Sequence, residues 1–151
     1  MKLTSIASGS SGNCIYVGSD EANILVDAGI SGKKIENGLK ELSVEPKSLD
    51  GILVTHEHID HVAGLGVMAR RYHLPLYMTE KTAQAVCNIK SVGKIDHELF
   101  QVITPDRPFR IRDITIDATS IWHDAADPVC YTMESGGVRA SIATDMGNYH
   151  E

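Results

Sequence analysis

The sequence predicts a mixed α/β domain, strand-rich at both ends with helices between. Three observations carry this. Short apolar runs at the N-terminal end are separated by Gly-, Ser- and Asp-rich turns. Helical spacing of apolar residues is confined to the middle of the chain. Closely spaced strand-like runs return after residue 100, with Gly136-Gly137 between two of them as a hairpin signal.

Lys2–Ala7, Cys14–Val17 and Ala22–Val26 read as strands. Ser31–Leu42 reads as a helix, with Ser31 as N-cap and Ile35, Leu39 and Leu42 on one face. Gly51–Thr55 is apolar enough for a buried strand, and His61–Tyr72 reads as one helix that ends before Pro75. A strand at Leu76–Met78 and a helix over Thr79–Asn88 follow. The remaining strands are expected at Phe100–Ile103, Phe109–Arg112, Ile114–Ser120, Cys130–Ser135 and Val138–Thr144.

At 151 residues the chain suits one domain, residues 1–151, with no linker or repeat. It has no run of about 18 uncharged apolar residues and no secretory signal at Met1–Ser5, so a cytoplasmic protein without membrane association is expected. Cys14, Cys87 and Cys130 form no CxxC pair and are expected as small buried hydrophobes in a reducing compartment. A net charge of −6 disfavours simple electrostatic binding to nucleic acid. Divalent ions bound at acidic ligands would reverse the local potential, so a phosphodiester substrate stays open.

Chemistry concentrates in Leu53-Val54-Thr55-His56-Glu57-His58-Ile59-Asp60-His61. An apolar strand runs straight into imidazoles and a carboxylate, the ligands favoured by zinc, manganese and iron. Alternation in an extended segment sends His56 and His58 to the same side. Such a polar cluster at the end of a buried strand must be satisfied, and metal binding does so. Glu57 is expected to face solvent, with no catalytic role.

His-x-His-x-Asp-His after an apolar strand resembles the signature of the metallo-β-lactamase-fold hydrolases. Asp27 in Leu25–Gly29, His123 in Ser120–Asp124 and Asp145 in Ile142–Gly147 fall where that family's other motifs belong. The resemblance implies an αββα sandwich, of which this chain holds mainly the N-terminal half. It implies two divalent ions, zinc first and manganese or iron as alternatives: His56, His58 and His123 at one, Asp60 and His61 at the other, Asp145 bridging. It also implies that Asp27 orients ligands, that water activated between the ions is the nucleophile, and that Asp60 is the catalytic residue that orients it and accepts its proton.

The Ser8–Cys14 opening, the Val26–Gly29 strand end and the His123–Pro128 stretch together are similar to the YycJ/WalJ-like branch. That implies exonuclease-type cleavage of DNA, with Ser10, Ser11 and Asn13 as substrate contacts. Lys33, Lys34, Arg70 and Arg71 are cations able to meet phosphates, although such residues usually form a solvated face. Hydrolysis of a thioester or lactone on the same metals is the competing enzyme reading, and a non-catalytic metal-binding domain is the third. The family's late motifs have no counterpart before Glu151. The expectation is therefore a piece of a longer parent, completed by its C-terminal half or by a second copy, with an apolar face left uncovered.

Overall fold

The computed structural model describes residues 1–121 and 124–142. Two sheets stack face to face, and helices cover the outer face of the first.

The first sheet has the order β1-β2-β3-β4-β5-β6. Its strands are β1 (Lys2–Ala7), β2 (Cys14–Gly18), β3 (Asn23–Val26), β4 (Gly51–Leu53), β5 (Leu76–Thr79) and β6 (Phe100–Ile103). β1, β2 and β3 pair antiparallel, whereas β3 through β6 run parallel. Strands covered on both faces read as continuous apolar runs, because alternate residues enter different cores. Leu25, Ile52 and Val54 face the helices, and Ile24, Val26 and Leu53 face the second sheet.

Helix α1 (Gly32–Glu41) starts at Ser31, whose Oγ accepts the Lys34 N–H at 3.3 Å, and it buries Ile35 and Leu39. Helix α4 (Glu80–Cys87) is capped by Thr79 in the same way. The helix expected from His61 to Tyr72 is two helices, α2 (Ile59–Val62) and α3 (Leu65–Tyr72). The break has a steric cause. The Gly64 N–H donates to the Ala28 carbonyl at 2.8 Å, and a Cβ at Gly64 would lie 2.1 Å from the Ile30 carbonyl oxygen. The chain must pass too close to residues 28–30 for a side chain to fit.

The second sheet, β10-β9-β8-β7, is antiparallel. It comprises β7 (Phe109–Ile111), β8 (Ile114–Ser120), β9 (Val129–Ser135) and β10 (Val138–Ile142). Gly136 and Gly137 take φ of +59° and +81°, which closes the β9–β10 hairpin as anticipated. Ile114, Ile116, Ala118, Tyr131 and Met133 are buried against the first sheet. The apolar face expected to lie uncovered here is thus packed, and the outward residues Thr115, Asp117, Thr132 and Glu134 are polar. No helix covers that outer face among the described residues, which supply three layers of an αββα sandwich. No helix among them is long and apolar enough to cross a membrane.

Of the cysteines expected to be buried, only Cys14 is; Cys87 is exposed and Cys130 half-buried. Burial, reinforced by the Asp27 charge, pushes the Cys14 thiol far above its ordinary range.

Candidate metal centre

The site lies where the parallel strands β3 and β4 end, the usual place for function in an open α/β sheet. β3 delivers Asp27, and β4 continues through Val54 and Thr55 into His56. Three backbone segments are laced together there. The Asn13 N–H donates to the Asp60 carbonyl, Gly29 N–H to Asn13, Ala28 N–H to His61 and Asp27 N–H to Leu53, all at 2.7–2.8 Å. Gly29 is required by this lacing, since a Cβ there would lie 1.8 Å from the Asp60 carbonyl oxygen.

Asp27 is fully buried and held at φ +65°, a backbone region that Asp and Asn tolerate better than most residues. Its Oδ1 accepts the Thr55 N–H at 2.8 Å; its Oδ2 accepts the Thr55 hydroxyl at 2.8 Å and stands 2.6 Å from His61 Nδ1. A carboxylate only accepts, so His61 carries its proton on Nδ1 and its lone pair on Nε2. The Thr55 hydroxyl hydrogen is directed at Asp27, so Thr55 Oγ1 accepts from His56 Nδ1 at 2.9 Å and the His56 lone pair is on Nε2. His58 Nε2 donates to the Asp124 carbonyl at 2.5 Å, which leaves the lone pair on Nδ1.

All three rings are thereby held in the tautomer a metal requires, by partners that also fix their orientation. The His56 ring centroid lies 4.7 Å from that of His58 and 4.0 Å from that of His61. Asp60 Oδ2 is 3.6 Å from His61 Nε2 and keeps about a quarter of its side chain exposed. This donor set of imidazoles and carboxylate suits zinc or a similar divalent ion. Among the described residues alone, no group of three or more such side chains is disposed to hold a metal ion. His123 and Asp145, both expected as ligands, lie outside the described residues.

The structure therefore brings Asp27, His56, His58, Asp60 and His61 together. Ser10 and Ser11 are exposed. Asn13, expected as an exposed substrate contact, is only 5% exposed. Its Nδ2 donates to the Gly9 carbonyl at 3.0 Å and the Asp60 carbonyl at 3.2 Å, and lies 3.3 Å from His61 Nε2. A residue that must hold a Gly-rich loop against the motif is drawn inward, because buried carbonyls need donors.

Glu57 does not face solvent as expected: it is half-buried, and its Oε2 accepts the Ala126 N–H at 2.9 Å. Arg70 donates to the Val92 and Lys94 carbonyls, and Arg71 pairs with Glu36 at 2.7 Å, so both are engaged within the fold. Lys33 and Lys34 are exposed. Lys34 lines a groove of about 400 Å³ between β1 and α1, together with Ser11, Thr4 and Asn37. The role of Thr55 was missed by sequence reasoning; a hydroxyl residue directly before the first motif histidine is the signal that points to it.

Residues 7–148 match the sequence model of the metallo-beta-lactamase superfamily. The chain belongs to the metallo-beta-lactamase superfamily. Within the superfamily it is 42% identical over 146 residues to "Exodeoxyribonuclease WalJ" of Streptococcus pneumoniae serotype 2, which covers 97% of this chain and 54% of that protein. It is 41% identical over 142 residues to "Exodeoxyribonuclease YycJ" of Bacillus anthracis, covering 94% of this chain and 53% of the relative. The chain thus spans about half the length of these curated relatives. Among solved structures it is similar to the Rm3 metallo-beta-lactamase, with a TM-score of 0.77 and 18% identity over 92% of this chain and 56% of that one. This likeness shows the superfamily fold, and the fold implies divalent metal ions.

Proposed function

We propose that this chain carries the metal site of a phosphodiester-cleaving hydrolase that acts on DNA. In this reading His56, His58 and His123 would hold one divalent ion and Asp60 and His61 a second, with Asp145 as a further ligand. Zinc is the preferred ion from the imidazole-rich set, with manganese or iron as alternatives. The observation that carries the reading is that one ring nitrogen each of His56, His58 and His61 is engaged by Thr55, the Asp124 carbonyl or Asp27, since solvated loop histidines need no such partners. The choice of DNA is supported by the printed names of the two relatives.

When bound, a pair of divalent ions supplies Lewis acidity that lowers the pKa of water and draws charge from a phosphoryl oxygen. The chain's own residues do the rest. Asp60, part-exposed beside His61, orients the attacking water and takes its proton. Asp27, fully buried, acts through Thr55 and His61. Ser11 and Lys34 line one groove, and we assign them to the sugar–phosphate backbone of the substrate.

The test is turnover of bis(p-nitrophenyl) phosphate and of DNA against a thioester, each with zinc or manganese added. Phosphodiester cleavage that disappears in Asp60→Ala is the expected outcome. Thioester turnover alone would overturn the nuclease reading, and metal uptake without turnover of any substrate would favour a non-catalytic metal-binding domain.

A further inference from the structure

We infer that Glu57 is a positioning residue: it clamps the segment 124–128 onto the His56–His61 loop and so places the stretch that follows His123. This rests on the metal-site reading above. Glu57 is not one of the expected ligands, although it stands between two of them.

The segment 124–128 forms no helix or strand and leads into β9. Its position is set from outside. His58 Nε2 donates to the Asp124 carbonyl at 2.5 Å, and the Ala126 N–H donates to Glu57 Oε2 at 2.9 Å. Thr82 Oγ1 donates to the Asp127 carbonyl at 3.3 Å, and the Val129 N–H donates to the Thr55 carbonyl at 3.0 Å. Glu57 supplies the side-chain acceptor among these contacts; Thr82 and His58 are donors. Without it the Ala126 N–H loses this acceptor, while the contacts of the Asp124, Asp127 and Pro128 carbonyls and of the Val129 N–H remain.

Ala126 is three residues from His123, a reach of at most about 11 Å of extended chain. An anchor that close in sequence limits where an expected ligand can stand. The adjacent carboxylate oxygen, Oε1, is buried with no hydrogen-bond partner among the described residues. The bond from the Ala126 N–H to Oε2 is the contact the clamp uses. Groups that orient metal ligands in this way typically contribute about 10–100-fold to metal affinity.

The experiment compares Glu57→Gln, which keeps an acceptor of the same reach, with Glu57→Met, which keeps the volume and removes it. Zinc affinity of the whole chain is measured by competition with a chromophoric chelator, and thermal melts of the metal-free proteins are recorded alongside. The expected result is zinc affinity within about three-fold of the parent chain for Glu57→Gln and a loss of about 10–100-fold for Glu57→Met. Parental affinity in Glu57→Met would overturn the clamp. Equal weakening of both variants would overturn it too, since charge rather than the hydrogen bond would then be at work. If Glu57→Met does not fold, Glu57→Asp reads the same bond, because it withdraws the carboxylate by one methylene while keeping its charge; weakened zinc binding supports the clamp and parental binding overturns it. A parent chain that takes up no zinc would overturn the metal-site reading and this inference together.

Discussion

At the residue scale, Asp27 does more than any other side chain to set the centre, because one carboxylate fixes Thr55 directly, His61 directly and His56 through Thr55. Asp27→Asn keeps the tolerance for positive φ but must turn an amide N–H₂ toward either the Thr55 N–H or the pair of donors at Oδ2. A buried donor left facing a donor costs about 1–3 kcal/mol. We expect destabilisation of that order in urea, with zinc affinity lowered about 10–100-fold by titration. Parental affinity in Asp27→Asn would show that His61 needs no such partner.

Tyr131 belongs to the same scale. Its hydroxyl donates to the Val54 carbonyl at 2.7 Å, which joins the second sheet to the extension of β4 just before Thr55. Complete burial, with the Asp27 charge adding to it, raises the phenol well above its ordinary value of 10.0. A group whose folded pKa is raised stabilises fully below the unfolded value and loses that contribution as pH rises past it. Thermal melts should therefore show a loss of stability as pH climbs above 10, and Tyr131→Phe should flatten that slope. At pH 7 the Phe variant should be destabilised by about 1–2 kcal/mol, the cost of an unmet buried carbonyl.

At the element scale, the loop before β2 and the connection from β3 to α1 are shaped by backbone that touches backbone. Gly29→Ala places a methyl 1.8 Å from the Asp60 carbonyl oxygen and 2.7 Å from the Asn13 nitrogen, neither of which is a flexible side-chain end. Overpacking against such atoms costs about 3 kcal/mol or more. Urea unfolding should show that loss, and zinc uptake should fall with it because Asp60 is the group displaced. Across the groove between β1 and α1, Lys34→Glu replaces an exposed cation with an anion. Binding to single-stranded DNA, followed by fluorescence anisotropy, should weaken and lose part of its salt dependence. Unchanged binding at low salt would remove Lys34 from the substrate path.

Several elements could be read along the chain because their causes are local. Ser31 caps α1 from three residues away, Thr79 caps α4, and two glycines close the last hairpin. The break in the helix around Gly64 was not legible, since its cause is the Ile30 carbonyl on a distant part of the chain. Asn13 and Glu57 were misplaced for the same reason. Their partners, Asp60 and Ala126, lie 47 and 69 residues away.

At the scale of the whole molecule, the two sheets meet through Ile24, Val26 and Leu53 on one side and Ile116, Tyr131 and Met133 on the other. The proposed ligands among the described residues, His56, His58, Asp60 and His61, follow β4 directly, so binding of an ion there would be linked to folding. A ligand that binds only the folded chain, at about 100 times its Kd, adds roughly 2.7 kcal/mol. For a chain of this size that corresponds to about 5–10 °C in Tm. Differential scanning calorimetry with zinc and then with excess chelator should show a fall of that size; no change on chelation would mean that the folded chain does not hold the ion.

The sequence by itself determined the α/β class and where most strands lie along the chain, and it singled out the cluster from His56 to His61 with Asp27 as the candidate centre. Apolar periodicity and motif spacing are properties of consecutive residues, and they survive without knowledge of the fold. The tertiary structure decided which ring nitrogen each histidine offers, that Asn13 faces inward, that Glu57 reaches the segment 124–128, and that Arg70 and Arg71 are engaged within the fold. Each of those depends on hydrogen bonds between groups far apart in the chain, and only packing the two sheets and the helices together brings such groups within 3.5 Å.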